Sequence, residues 1–332
     1  MKKVLSIVAL LCLIMVPVFA NGGNEGTTAT AEKKVELKLG FQANAGSNEY
    51  LAAEVFAKEV EALSGGSVSC KIYAGGQLGD DRSMLEQVAA GAMDMVYAET
   101  GRFGLWIPEA EIFGYPFMFD NFDHLLRTMQ TEYGKKLEGQ LEAKGWRILA
   151  NGYNGTRQTT SNKKIESIAD MKGMKLRVPN AAANLNFAKY SGAAPTPMPF
   201  AEVYLALKTN AVDGQENPLS TINAQKFYEV QKYCALTGHI INDNNYVISE
   251  KVYQKLSDNQ KTAVSEAAKK AAAFHTAKFT QDETDLIKFF QEQGMTITNP
   301  DKAPFRAASK PMIDEYIAKY GDAAVKAIES AR

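Results

Sequence analysis

Apolar and polar residues alternate with period two in "VELKLG", from Val35, and in "SVSCKIY", from Ser67. That period predicts strands with one face toward a core. Between them, "EYLAAEVFAKEVEALSGG" sets Leu51, Val55, Phe56 and Val60 on one helical face, and Gly65-Gly66 stops the helix. "DDRSMLEQVAAGAMDMVYAET" then predicts a helix followed by a strand. The order βαβαβ is that of a mostly parallel sheet with helices on its faces, an α/β fold.

The pattern restarts further on. "WRILANGY" predicts one strand and "MKLRVP" another, the second ended by Pro179, which pushes Val178 toward extended geometry. Asn180 is then expected to cap a helix through "AAANLNFAKY" to Gly192. Arg177 therefore stands near the carboxyl end of a strand that feeds a helix, where open α/β sheets bind ligands. A surface arginine on an alternating strand is the plainer alternative. In "PFAEVYLALKTNAVDGQENP", Phe200, Val203, Tyr204 and Leu207 follow helical spacing. "LEQVAAGAMDMVYAET" and "LALKTNAVDGQENP" echo each other: a helix, a turn, Ala-x-Asp, then a short strand. One strand delivers Glu99 and Thr100 at its far end, the other Gln215, Glu216 and Asn217. The echo suggests two similar α/β lobes that offer strand ends to a shared cleft. From a Ser257 cap the chain runs to Gly294 without interior Gly or Pro, a helix of 36 residues, about 54 Å long and able to brace both lobes. His275 on it reads as packing or surface.

The length of 332 residues suits roughly two domains. Lys2 and Lys3 precede an apolar run from Val4 to Ala20 that closes on small residues, so residues 1–20 read as a secretory signal peptide cleaved after Ala20. Cys12 lies too early in that run for a lipoprotein site. Residues 21–34 are polar and aperiodic, a flexible leader. Loss of Lys2 and Lys3 lowers the basic count from 37 to 35 against 38 acidic residues and the net charge from −1 to −3. The chain carries no basic block, which argues against nucleic acid as a partner. No second long apolar run predicts a membrane span. Cys70 and Cys234 sit in strand-like segments, where free cysteines pack as small hydrophobes; an exported protein could also pair them.

Catalytic signatures are lacking: no G-x-S-x-G, H-E-x-x-H, P-loop, EF-hand loop or C-x-x-C. His124, His239 and His275 come from unrelated stretches, and no metal or cofactor is expected. Asp80-Asp81 could do acid/base work, but such pairs more often cap a helix. What remains is a binding pattern. Arg157, in "YNGTRQTTSN", and Arg177 lie 20 residues apart in consecutive strand–loop elements. Two guanidinium forks at neighbouring strand ends suit a carboxylate. Glu99, Asp81 and Asn217 could hydrogen-bond sugar-like hydroxyls.

The stretch from "YNGTRQTTSN" through "LRVPNA" to "AVDGQENPL", with "SNEYLAAEVFAKEV", "QLGDDRSMLEQ" and "YAET", resembles the extracytoplasmic solute-binding proteins of TRAP transporters, most of all the sialic-acid binders. The resemblance covers nearly all of the chain after the leader. It implies a two-lobe periplasmic-binding-protein clamshell with a long helix across its back. The implied lobes are 35–153 plus 243–281 and 154–242 plus 282–332. Arg177 would grip the ligand carboxylate, with Arg157 as second cation and Asn217 as hydrogen-bond donor. Asp81 and Glu99 would meet the hydroxyls or amide of the sugar, and Asn180 and Phe200 would wall the pocket. Arg82, within "LGDDR", and Gln42 complete the implied set; close relatives carry Asn where Gln42 stands, so its contact differs in reach. The implied function is capture of N-acetylneuraminate in the periplasm by a monomer that hands it to a membrane permease, without catalysis. Two rivals stand beside it: a TRAP binder of a C4-dicarboxylate or other organic acid, and a sugar-acid-modifying enzyme using Asp81 and Glu99.

Overall fold

The computed structural model describes residues 32–332. The expected signal peptide, its cleavage after Ala20 and most of the leader lie outside the described residues. The strands are β1 (Val35–Gly40), β2 (Val68–Tyr73), β3 (Met95–Ala98), β4 (Trp146–Ser161), β5 (Lys175–Val178), β6 (Ala194–Pro197), β7 (Gly214–Pro218), β8 (Tyr233–Ala235), β9 (Ile241–Ser249) and β10 (Thr296–Thr298). The helices are α1 (Asn48–Leu63), α2 (Asp81–Ala90), α3 (Phe122–Gln130), α4 (Glu132–Ala143), α5 (Ala182–Tyr190), α6 (Val203–Lys208), α7 (Leu219–Ala224), α8 (Glu250–Tyr253), α9 (Asp258–Glu292), α10 (Lys302–Tyr320) and α11 (Ala323–Ser330).

The architecture is two-lobed α/β. The main path of the sheet runs β2-β1-β3-β9-β4-β7-β5-β6. The expected βαβαβ unit is present, with β1 parallel to both β2 and β3. Antiparallel β9 joins β3 to β4. Long β4 belongs to both halves: Trp146 to Thr156 pair with β9, and Arg157 to Ser161 pair with β7 and β8. Near the end of the β9 pairing, just before β7 takes over, the register slips between Tyr153 and Thr156. A bulge of this kind bends and re-aims a strand. Gly155 makes the slip possible: its φ is +87°, and a Cβ there would meet Pro218 at 2.7 Å.

The backbone groups freed at the bulge are taken up by α9. Thr276 Oγ1 accepts the Tyr153 N–H at 3.0 Å, and Glu283 Oε1 accepts that of Thr156 at 2.6 Å. The long helix begins as expected at a Ser257 cap, which with Gln260 forms a reciprocal capping box, and its 35 residues extend about 52 Å. Its buried face is mostly alanine, from Ala263 to Ala272, which lets α1 pack closely with Phe56 and Val60. His275 is buried there, stacked on Phe279 at 4.6 Å. Burial pulls its ring down to about 3, so it is neutral, and Nε2–H donates to Asn154 Oδ1 at 3.0 Å. At the C-terminus, His124 on α3 holds the Ile328 carbonyl of α11 at 2.7 Å, and α11 shares a core with Leu125, Leu137 and Leu141.

Three details differ from the sequence reading. Asn180 does not cap α5; Ala181 stands at that position and makes no side-chain cap. The chain bends after Pro179, where the Ala181 N–H bonds back to the Pro179 carbonyl at 2.8 Å, and the helix starts only at Ala182. Arg157 lies inside β4 rather than in a loop after it. Nor are the two arginine strands neighbours, because β7 runs between β4 and β5. Cys70 and Cys234 are both unpaired, on β2 and β8.

Candidate functional site

Strand ends from both halves open on one cleft, lined by apolar groups such as Phe41, Tyr97 and Phe200 and by convergent polar side chains, the make-up of a small-molecule site. A side opening adjoins it, lined by Arg82, Leu105, Asn180 and the Pro197-Met198-Pro199 turn. Gln42, Asp81, Arg102, Arg177 and Phe200 border both spaces.

β7 supplies the centre of the site because two of its polar residues turn into a buried network. Glu216 is wholly buried, and Arg157 on β4 is 2% exposed. Their side chains form a two-pronged pair: Nε of Arg157 binds Oε2, and Nη2 donates to Oε1 at 2.9 Å. Nη2 also reaches the Glu216 carbonyl at 2.7 Å and Asn217 Oδ1 at 3.1 Å. His239 Nε2 lies 3.1 Å from Glu216 Oε2, and Asn184 Nδ2 donates to Oε1 at 3.2 Å. Burial alone would raise the carboxyl, but Arg157 and His239 outweigh it and hold Glu216 at about 2. Burial lowers His239 despite the pull of Glu216. The neutral ring therefore donates from Nε2 to the carboxylate and accepts at Nδ1 from the Thr237 hydroxyl, 2.9 Å away. Phe187 stacks flat on this imidazole at 3.7 Å and fixes its plane.

Arg177 on β5 is equally buried, at 2% exposure, but differently served. Nε and Nη2 both donate to a single acceptor, the Met198 carbonyl, at 3.3 and 2.8 Å. Phe200 lies beneath the guanidinium, 5.7 Å from its ring centroid. Among the described residues, none of the ion pairs includes Arg177. Burial lowers it to about 9 against the opposing pull of Glu216, and Arg157 and Arg102 add to the lowering. A buried guanidinium with donors left over is a receptor for an anion, and its fork suits a carboxylate.

A second cluster faces it from the first half. Glu99 ends β3 and opens a short 3-10 helix, Thr100–Leu105, that carries Arg102. Glu99 pairs with Arg102 at 3.4 Å and with Arg157 at 3.5 Å; Arg102 also reaches Asp81 at 3.8 Å. The 3-10 helix is held close to the next one, Pro108–Gly114, where Gly101 meets Gly114: a Cβ on Gly101 would lie 2.7 Å from the Gly114 nitrogen. Asp80 caps α2 through Ser83 N at 2.8 Å, which leaves Asp81, the first helical residue, to border the cleft. Gln42 donates one amide N–H to the Gly79 carbonyl at 2.7 Å, which leaves a second N–H and the acceptor Oε1.

All nine residues singled out from the sequence border the cleft or its side opening. Two stand apart from the rest. Arg82 is 62% exposed and pairs with Glu86 at 2.9 Å, and Asn180 is exposed at the rim. Residues not singled out also contribute: Arg102, Glu49, Tyr97 and Asn154 border the cleft, and Glu216 and His239 underlie it. The polar "QENP" run was the signal for Glu216. Nothing near His239 in the sequence points to Glu216.

Comparison with known proteins places the chain in a family. Residues 39–319 match the bacterial extracellular solute-binding protein family 7, DctP. The chain is 49% identical over 294 residues to the sialic acid-binding periplasmic protein SiaP of Vibrio cholerae, covering 88% of this chain and 92% of SiaP. It is 31% identical to the 2,3-diketo-L-gulonate-binding periplasmic protein YiaO of Escherichia coli, over 82% and 84% of the two chains. Among solved structures it resembles the sugar acid binding protein DctPAm of Advenella mimigardefordensis in complex with galactonate, with a TM-score of 0.85 at 31% identity over 91% of this chain and all of that one. A TRAP periplasmic solute-binding protein of Roseobacter denitrificans with bound β-D-glucuronate gives 0.85 at 31% identity, over 90% of this chain and 100% of that one. The match over residues 39–319 and the 49% identity across most of both chains place this chain in the DctP family of TRAP transporter solute-binding proteins.

Proposed function

We propose that this protein captures N-acetylneuraminate in the periplasm and hands it to a membrane permease. The observation that carries this reading is Arg177, buried on β5 and, among the described residues, hydrogen-bonded to the Met198 carbonyl with no carboxylate partner. In the proposal its fork takes the ligand carboxylate, with Asn217 beside it and Arg157 as second cation. Glu99, Asp81 and Gln42 Oε1 accept from hydroxyl or amide groups, and Phe200 and Asn180 wall the pocket. Arg82 stands at the entrance. The 49% identity to SiaP supports sialic acid over other acids.

Binding is proposed to close the two lobes about the bulge in β4, the kind of hinge motion by which such proteins switch. The lobe boundaries expected from the sequence, 35–153 plus 243–281 and 154–242 plus 282–332, belong to this proposal. So do secretion through residues 1–20 with cleavage after Ala20, the monomeric state and the absence of catalysis.

A second reading has its own support: structures similar to this chain hold galactonate and β-D-glucuronate. A shorter sugar acid, a C4-dicarboxylate or another organic acid would meet Arg177 equally well. Calorimetry against N-acetylneuraminate, galactonate, glucuronate and succinate separates these ligands, and N-acetylneuraminate is expected to bind tightest. At ligand about 1,000-fold above Kd, it should stabilise the fold by about 4 kcal/mol. Strong binding of succinate with none of N-acetylneuraminate overturns the assignment. Recovery of a chemically altered sugar after incubation would make the protein an enzyme instead.

A further inference from the structure

Asp243 is a buried carboxylate that the site described above does not use. It lies on β9, the strand that joins the first half of the sheet to β4, and is 2% exposed. Among the described residues, no cation pairs with it. Its partners all come from two residues: Thr100 gives its backbone N–H at 3.0 and 3.2 Å to the two oxygens and its hydroxyl to Oδ2, and Asn245 Nδ2 donates at 3.0 Å. Asn245 Nδ2 also donates to Thr100 Oγ1 at 2.9 Å, and Asn245 Oδ1 accepts from Asn151 on β4. The result is a polar chain from β4 through β9 to Thr100.

Thr100 directly follows Glu99, whose carboxylate is shared by Arg102 and Arg157 at 3.4 and 3.5 Å. Asp243 grips the peptide N–H and hydroxyl at that step, so it sets where Glu99 leaves β3. We propose that Asp243 is a positioning residue of the cleft: from the strand that crosses between the halves it fixes Thr100, and thereby holds Glu99 between the two arginines. The inference rests on the proposed role of Glu99 in ligand binding.

The proposal has a pH signature. Burial, opposed by the Thr100 bonds and reinforced by Glu99, lifts the Asp243 carboxyl to about 6. Below that pH it gains a proton and no longer presents two anionic oxygens to Thr100. The small cavity beside it is lined from both 3-10 helices, α5 and β9, and Glu99 is the other ionisable residue there. On β4 the residue opposite is Tyr153.

The test is calorimetric titration of the full chain with N-acetylneuraminate between pH 5 and 7.5, for the parent and Asp243→Asn. The parent should lose affinity severalfold on acidification through pH 6. Asp243→Asn should bind at least tenfold more weakly at pH 7.5 and show a flat profile. A second variant, Thr100→Val, removes only the hydroxyl and should give a smaller loss that keeps the pH slope. Thermal melting without ligand reports whether each variant folds; if Asp243→Asn does not, the parent's profile and Thr100→Val decide. A flat parent profile, or Asp243→Asn with parental affinity and slope, overturns the inference while leaving the proposed function intact. A parent that binds no N-acetylneuraminate at any pH overturns the functional reading itself.

Discussion

Arg157 and Arg177 are both 2% exposed and both border the cleft, yet they sit in opposite chemical states. Arg157 is charge-paired with Glu216 and Glu99 and bonded to Asn217 before any ligand arrives. Arg177 has one carbonyl and an aromatic face. Two arginines near strand ends look equivalent in a sequence; β7 pairs with both of their strands, and what separates them is which of the two its Glu216 side chain meets. Because β7 lies between β4 and β5, its Glu216 is spent on one of the two. Arg157 is then mostly committed to the protein, and Arg177 is the one whose charge is left without a carboxylate among the described residues.

Removing the carboxylate partner of the paired arginine should have the largest effect. Glu216→Gln leaves Arg157 buried beside a neutral amide. Breaking a buried pair from one side costs about 3–5 kcal/mol, read as a lowered melting temperature at pH 7. An unchanged melting temperature would mean that Arg157 is no more committed than Arg177. The same pair predicts acid sensitivity. Glu216 is held at about 2, below its ordinary 4.5, so its contribution is complete above pH 4.5 and lost as pH falls through 2. The parent should therefore lose stability in that window, and Glu216→Gln should lack that component of the loss.

Arg177→Lys should leave the fold alone and weaken ligand binding instead. It keeps the charge and loses the fork, for a fall of at least tenfold, about 1.4 kcal/mol. Phe200→Leu removes the ring face under Arg177 and should weaken binding by about fivefold, the size of a partly exposed cation–π contact of about 1 kcal/mol. The smallest effect is expected at Gln42→Asn. The shorter amide forfeits its 2.7 Å bond to Gly79, and a net hydrogen bond is worth about 0.5–1.5 kcal/mol. Calorimetry reads both as changes in Kd, and a Phe200→Leu loss exceeding that of Arg177→Lys would invert the ranking.

Much of the fold could be read from local pattern, because local pattern specifies it. The alternation in β1 and β2, the cap at Ser257 and the uninterrupted run to Gln293 each needed only neighbouring residues. β9 escaped notice for a physical reason. Its first half, "INDNN", is polar, and Asn242, Asp243, Asn244 and Asn245 are nonetheless buried; Asp243 and Asn245 serve each other, Thr100 and β4. Hydropathy finds strands that pack on a core, not strands that bury a polar network. Arg157 was placed beyond its strand for the same reason: "TRQTTS" is polar, and only its pairing with β7 and β8 makes it a strand. The cleft residues were legible as types, through Arg177, Glu99 and Asn217. Glu216 and His239 were not assigned to the site, because their roles come from a meeting of β7 with the chain ahead of β9 that no local spacing encodes.

The most direct test is isothermal calorimetry of N-acetylneuraminate binding to the parent and to Arg177→Lys at pH 7.5, with melting curves for both. The account predicts one site per chain in the parent, at least a tenfold weaker Kd in the variant, and equal melting temperatures without ligand. Equal affinity in the two proteins would contradict it, since the buried, unpaired guanidinium would then not be what meets the acid.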